Sequence, residues 1–386
     1  GTLLGTQSLN VAGTIVDGPR TADGFIWWNI NYDTGVDGWS VGDFLTKGVA
    51  DIPALATNPI DTLRPGYWYR VPDSKLRSVM PNPLPPGTSG AGGILAESSG
   101  AFDTKRNQLI IWGGGHEDYS GNELYSFDID TLKWTRIWGP TPTNLINSLT
   151  VDSSLRETYQ DGNPASRHTR DGLEYLPNID RFWSNGGSLW SGSGGNSTMS
   201  WMFDIANFKW ERKMSGPGSF SNVYSAYDPK TGNILVHRGF SPALYEYNPT
   251  ANTWTQRSQI SLEGTIGYRR TAVFDPKRRH FYLIGIGEVL RYDLSKTGLA
   301  TVEKISLLGD IPFIGMPGPG VEYDPISDQI VVWPHGPDIF TMNLDTNVWT
   351  KHSKKADDAT ILPAVPGGGF KGAQGRFRYI PSKNAF

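Results

Sequence analysis

The chain has 386 residues, of which 19% are charged, and its formal net charge is −3, which argues against a nucleic-acid partner needing a basic stripe. Cys is absent, which excludes disulfides, thiolate metal sites and cysteine nucleophiles. Gly (46) and Pro (27) are abundant and no apolar run reaches the length of a membrane span, so many short strands joined by tight turns are expected rather than helices or membrane insertion.

In chain order, residues 11–16, 24–32 and 38–41 read as short strands separated by Gly, Asp and Pro turns. The run Gly24-Phe25-Ile26-Trp27-Trp28-Asn29-Ile30, followed by Gly35-Val36-Asp37-Gly38-Trp39-Ser40, resembles the bacterial SH3-like family. That resemblance implies a small β-barrel over 1–48, entered after its first strand. Such barrels bind extracellular polymers or serve as spacers. Residues 49–64 lack periodicity and read as a linker. The run 68–71, Trp-Tyr-Arg-Val, is expected to be a strand that closes a ring with the C-terminal segment.

From residue 100 a phrase recurs: an aromatic and an Asp, often with Pro, then a short apolar run, then a second aromatic with Asp or Asn. Phe102-Asp103, Tyr227-Asp228-Pro229, Phe274-Asp275-Pro276 and Tyr323-Asp324-Pro325 open repeats, with the looser Tyr175-Leu176-Pro177. Asp128 and Trp134, Asp204 and Trp210, Asn248 and Trp254, and Asn343 and Trp349 keep one spacing. A period of about 40–50 residues built from strands means a propeller or an array. The units fall near 100–138, 171–214, 225–258, 271–306 and 320–353, with a sixth shared between 375–386 and 66–71. The fourth lacks the Trp, so its outer turn is expected to be remodelled. Six blades is the count, and the long stretches 80–100 and 139–170 leave room for a seventh. A blade needs about four strands, so an end at Phe386 suggests a clipped C-terminus. No signal-peptide pattern opens the chain.

The segment Gly113-Gly114-Gly115-His116, then Asn122-Glu123-Leu124-Tyr125-Ser126-Phe127-Asp128 and Trp134, resembles a kelch repeat over 65–386. The fold expected is therefore all-β, a kelch-type β-propeller preceded by a small SH3-like barrel. Fold alone does not give function. Kelch-type copper-radical oxidases need a Tyr–Cys crosslink, and sialidases need Asp boxes. The chain has no Cys and no Ser-x-Asp-x-Gly-x-Thr-Trp.

His116, His168, Tyr224, His237-Arg238, Tyr268-Arg269-Arg270 and His335 recur at equivalent ends of successive units and are expected to share one end of the channel. His, Tyr and Arg together suit β-elimination from a uronic-acid polymer: Arg neutralises the carboxylate, and His or Tyr moves the protons. This kit is similar to that of ulvan-degrading lyases. The resemblance implies base or carboxylate-binding roles for His116 and His168, an acid/base role for Tyr224, neutralisation by Arg238 and substrate binding by Tyr268. Asn122, His335 and Trp190, the last in a Gly/Ser-rich loop suited to stacking on a sugar, complete the expected substrate contacts. Other readings stand beside these. His116 is equally readable as part of a blade turn, and Arg238 as the partner of a neighbouring blade's Asp. A metal at His116, Glu117 and Asp118 is disfavoured because adjacent strand residues point to opposite faces, so no metal or cofactor is expected. The partner expected is a polysaccharide or cell-surface glycan, and the setting secreted or cell-surface. The alternative is a non-catalytic adhesin, surface-layer or phage-tail module.

Overall fold

The computed structural model describes residues 5–7, 11–45, 58–115, 118–146, 157–190, 195–218, 221–239, 241–258, 270–311, 318–353, 362–363 and 372–386. They form two compact units, Gly1–Asn58 and Pro59–Phe386. No described helix is long and apolar enough to cross a membrane.

In the first unit β1 (Gly13–Ala22), β2 (Phe25–Tyr32) and β3 (Gly38–Val41) form an antiparallel meander. The turn between β1 and β2 is Asp23-Gly24, both in the left-handed region, as a two-residue hairpin requires. Ile30 is its buried apolar residue, and β1 is exposed throughout.

The second unit is built from antiparallel four-stranded sheets. The first holds β4 (Gly100–Asp103), β5 (Gln108–Ile111), β6 (Leu124–Asp128) and β7 (Lys133–Trp138). After the short strand β8 (Arg167–His168), β9 (Leu173–Leu176) and β10 (Arg181–Asn185) begin the second. The strand β11 (Ser188–Leu189) pairs back with β8, and β12 (Ser200–Asp204) and β13 (Lys209–Arg212) complete the sheet. The third is β14 (Val223–Tyr227), β15 (Ile234–Arg238), β16 (Ser241–Asn248) and β17 (Thr253–Gln256). The fourth is β18 (Thr271–Asp275), β19 (His280–Gly285), β20 (Glu288–Asp293) and β21 (Thr301–Lys304). The strand β22 (Leu308–Gly309) runs parallel to the edge of the fifth, which is β23 (Gly320–Asp324), β24 (Gln329–Trp333), β25 (Ile339–Asn343) and β26 (Val348–His352). Apolar clusters lie between consecutive sheets. One joins Ile110 and Trp112 to Leu173 and Trp210, another Leu176 and Trp183 to Val236 and Tyr247. Covered on both faces, the second strands of the sheets carry short apolar runs such as Ile234-Leu235-Val236 and Ile330-Val331-Val332.

The recurring phrase has a local cause. The Asp or Asn that ends a strand accepts hydrogen bonds from the amides two and three residues on. Asp103 Oδ1 takes Lys105 and Arg106 N–H at 3.0 Å each, and Asp275 Oδ1 takes Lys277 at 2.9 Å and Arg278 at 3.0 Å. The turn then closes on a left-handed residue such as Asn107, Asn252 or Asn347. In three sheets the Trp that follows sits directly across the ladder from an aromatic, while Trp349 faces Met342. Phe127 faces Trp134 at 5.1 Å, Phe203 faces Trp210 at 5.1 Å and Tyr247 faces Trp254 at 4.9 Å. In the fourth sheet Tyr292 faces Val302 across a longer turn over 294–300, as the missing Trp foretold.

The first strands of the sheets touch in cyclic order: β4 with β9, β9 with β14, β14 with β18 and β18 with β23. The 3-10 turn Gln374–Arg376 touches both β23 and β4 and closes the circle. This arrangement is compatible with a β-propeller. The expected strand at 68–71 does not form. Trp68 lies against Trp333 at 6.1 Å and donates to the Pro337 carbonyl (3.0 Å), while Trp134 donates to that of Ser74 (3.0 Å). The segment thus links the fifth sheet to the first as coil. Pro65-Gly66 before it and Pro72 after it leave too short a run to pair.

Candidate functional site

The two ends of the ring differ. At one, strands join through tight turns over 104–107, 129–132, 177–180, 276–279 and 325–328. At the other, the connections run over 139–172, 213–222, 257–270, 305–319 and 353–373. Long connections on a rigid scaffold are where binding and catalytic groups gather, so the loop-bearing end is the candidate site.

Its centre is the pentapeptide Arg167-His168-Thr169-Arg170-Asp171. Arg167 is wholly buried and anchors the strand. Its guanidinium donates to the Ala165 carbonyl (3.0 Å), the Glu157 carbonyl (3.0 Å), Glu157 Oε2 (3.3 Å) and Ser197 Oγ (2.6 Å), and lies 5.5 Å over the Trp112 ring. Alternation along the strand sends His168 the opposite way, and its Nε2 meets Asp118 Oδ2 at 2.9 Å. A carboxylate can only accept, so Nε2 carries a proton toward Asp118. Gly114 and Gly115, both at positive φ, let this strand approach. A Cβ on Gly115 would lie 2.5 Å from Arg167 Cα, and one on Gly114 2.3 Å from Ser166 Oγ. The turn they start returns at Asp118, whose amide donates to the Gly115 carbonyl at 2.8 Å.

Thr169 ties the segment inward by donating to the Trp112 carbonyl (3.1 Å). Arg170 adopts a left-handed backbone at φ 50°, its amide donating to the Glu97 carbonyl (2.9 Å) and its guanidinium pairing with the buried Glu97 carboxylate. Arg376 leans on the same place, donating to the carbonyls of Ser98 and Gly372 (2.8 Å for the latter). Burial lowers its guanidinium pKa to about 10, against the pull of Glu97.

Tyr224, on β14, is 2% exposed and its backbone bridges to Asp171. Burial pushes its phenol up to about 12, although the Arg270 backbone N–H and the charges of Arg170 and Arg270 pull it down. A phenol so placed keeps its proton at neutral pH and can donate it but not accept one. Arg270 is itself buried and pairs with Glu288 Oε2 at 2.7 Å. Arg238 is 1% exposed and turned to the cleft between the second and third sheets. It donates to the carbonyls of Pro217 and Gly218 and to Asn185 Oδ1 (3.3 Å), and lies 5.4 Å from the Trp254 ring. Burial lowers its pKa to about 10. It thus holds the 213–222 connection through backbone carbonyls.

The remaining expected contacts are scattered. Asn122 is buried, donating to Thr141 Oγ1 and the Pro164 carbonyl (3.0 Å each) and accepting from the Thr141 amide (2.8 Å), so it pins both ends of the 139–172 connection. Trp190 is half-buried against the small core of Tyr159, Ala165 and Leu189. His335 is buried edge-on to Trp333 at 5.3 Å, with φ 68°. His116 and Tyr268 lie outside the described residues, as does Glu117. The reading of the sequence missed Glu97 and Arg170, and it gave Asp118 only as a disfavoured metal ligand. The polar string Arg-His-Thr-Arg-Asp, unusual just before an inner strand, was the available signal for Arg170. No protein-family model matches the chain, and no curated protein matches it significantly.

Proposed function

We propose that residues 59–386 form a six-sector kelch-type propeller, carried with an SH3-like module, that acts on an anionic polysaccharide outside the cell by β-elimination. The observation that carries this reading is His168, backed by Asp118 at 2.9 Å, two residues from Arg170 at the loop-bearing end. In this reading His168 removes the proton alpha to the uronate carboxylate. Arg170 faces that carboxylate and disperses the charge that develops, and Tyr224 returns a proton to the leaving oxygen. The cyclic contacts of the first strands support the propeller, and the aromatic-Asp turns with their ladder Trp support the kelch likeness.

The test is ultraviolet absorbance from unsaturated sugar ends, over a panel of uronic-acid polymers. His168→Ala is expected to lower kcat roughly 100-fold or more and Asp118→Asn roughly tenfold. Arg170→Ala is expected to raise KM and lower kcat together. Absorbance that never rises on any polymer, or that survives in His168→Ala, sinks the elimination reading.

A second reading, a non-catalytic glycan-binding module, is favoured by one observation. Tyr224 and Arg238 are both buried, and Arg238 is engaged by carbonyls. Retarded migration in polysaccharide-containing gels without any absorbance change is its expected signature.

A further inference from the structure

The turn-bearing end of the ring holds a cavity of about 260 Å³. Its wall repeats around the ring: Phe102, Tyr175, Tyr227, Phe274, Tyr323 and Tyr379, one from each first strand and one from the C-terminal segment, all line it. The residue just before each aromatic points to the other face of its strand. In order these are Ala101, Glu174, Ala226, Val273, Glu322 and Arg378. Glu174 and Glu322 both lie against Arg378, with Asp171 close enough to interact with all three.

The charges there do not balance. Arg378 spends its N–H groups on carbonyls: Nε on Gly375 (2.7 Å) and Gly100 (3.1 Å), and Nη2 on Gly100 (2.8 Å) and Leu173 (3.2 Å). Among the described residues its hydrogen bond to a carboxylate comes from Nη1, to Glu322 Oε2 at 3.5 Å. Glu174 is 4% exposed and lines the cavity. Its Oε1 accepts from Ser225 Oγ at 2.8 Å, whereas its Oε2 accepts no hydrogen bond among the described residues and lies 4.0 Å from Arg378 Nη2. Three carboxylates thus share one guanidinium, and one carboxylate oxygen is left without a donor beside an aromatic-walled space.

We propose that this cavity binds a small organic cation, its ammonium group over Glu174 and its carbon shell against the aromatic ring of residues. The electron-rich faces of aromatic rings attract such a cation, and more strongly once it is desolvated. A buried carboxylate oxygen without a donor adds directional charge. A metal ion suits the site poorly. Hard cations want six or more oxygens, and among the described residues no group of three or more Asp, Glu or His stands close enough to hold one. This site lies at the end opposite His168 and does not depend on the elimination reading.

The experiment is calorimetric titration of the full chain with choline, ethylammonium, the neutral choline isostere 3,3-dimethylbutan-1-ol and calcium. Expected is saturable one-to-one binding of choline or ethylammonium and none of the isostere. Binding should be roughly tenfold weaker or worse in Glu174→Gln, which keeps the size of the side chain and its acceptor for Ser225. Tyr227→Leu, at the rim, should weaken choline while leaving the melting temperature near wild type, so a folding defect cannot imitate the result. Binding should also weaken as pH falls, because burial raises the carboxyls of Asp171, Glu174 and Glu322 and protons compete for them. No saturable binding of either cation, equal binding of the isostere, unchanged binding in Glu174→Gln, or a preference for calcium would each overturn the proposal.

Discussion

Each tight turn ends on a residue held in the left-handed region, and the side chain chosen there carries a cost. Asn107, Asn252 and Asn347 accept it readily, and Asp180 and Asp328 also turn it to use as ion-pair partners. Phe208 does neither. It sits at φ 50°, half in solvent, with one edge-on contact to Phe203 at 6.4 Å. A left-handed conformation costs a side chain about 1–2 kcal/mol, and Asn recovers part of that. Phe208→Asn is therefore expected to stabilise the protein by about 0.5–1 kcal/mol, read as a higher urea midpoint at unchanged slope. A lower midpoint would show that the contact with Phe203 outweighs the backbone. The same scale explains what was legible at the site. His168 stood out in the sequence because a titratable group precedes an inner strand. Asp118 did not, because the pair spans fifty residues of chain and depends on Gly114 and Gly115 letting β8 approach. Arg238 was legible as a residue but not in its direction. Which cleft a strand-end side chain enters depends on the bulge between His237 and Arg238 in the β15–β16 ladder.

At the scale of strands and turns, neighbouring sheets are stitched by a repeated ion-pair device. Arg106 donates to Asp103 (2.8 Å) in its own turn and to both oxygens of Asp180 (2.7 and 2.8 Å) in the next, and Tyr175 adds a hydroxyl bond to Asp180 (2.9 Å). Arg278 repeats this with Asp275 (3.1 Å) and Asp328 (2.9 and 3.0 Å), and Tyr323 adds its hydroxyl (2.9 Å). The half of the device inside one turn was written in the sequence, since Asp and the aromatic recur at fixed spacing. The half between turns was not, because it requires the order of sheets in space. The bond from Arg278 holds the Asp328 carboxyl well below the usual carboxylate range, and the bond from Arg106 does the same to Asp180. A carboxyl depressed in the folded state contributes stability above its unfolded pKa of about 4 and loses it as pH falls further. Arg278→Ala leaves the buried Asp275 without its cation and is expected to cost about 2 kcal/mol near neutral pH. The gap to wild type should narrow as pH drops from about 4 to about 2. A gap that stays constant over that range would assign the loss to packing of the arginine stem instead.

For the whole molecule, the question is what keeps the ring shut between the fifth sheet and the first, where the described residues form no further sheet. The cyclic order was legible from the repeat, and the equivalence of Glu174, Glu322 and Arg378 stood in the text as the residue before each aromatic. What the sequence hid was that these three residues meet, because their meeting is a property of the closed ring and of no single repeat. Arg378 comes from the last segment of the chain, and it binds carbonyls of β9 and β4 while facing Asp171, Glu174 and Glu322. Burial pushes all three carboxyls up, and the charge of Arg378 opposes that rise. A carboxyl raised in the folded state contributes stability below its unfolded pKa of about 4, and that contribution is lost as pH rises through the folded value. Without the guanidinium the carboxyls rise further, so the penalty grows with pH. Arg378→Ala is expected to cost about 3–5 kcal/mol at about pH 8 and clearly less at about pH 5, where protons replace the missing cation. Denaturant titrations at the two pH values measure this, and Glu322→Gln in the Arg378→Ala background should recover part of the loss at the higher pH only. A loss of equal size at both would mean that the carbonyl bonds of Arg378, and not its carboxylates, hold the last segment in the ring.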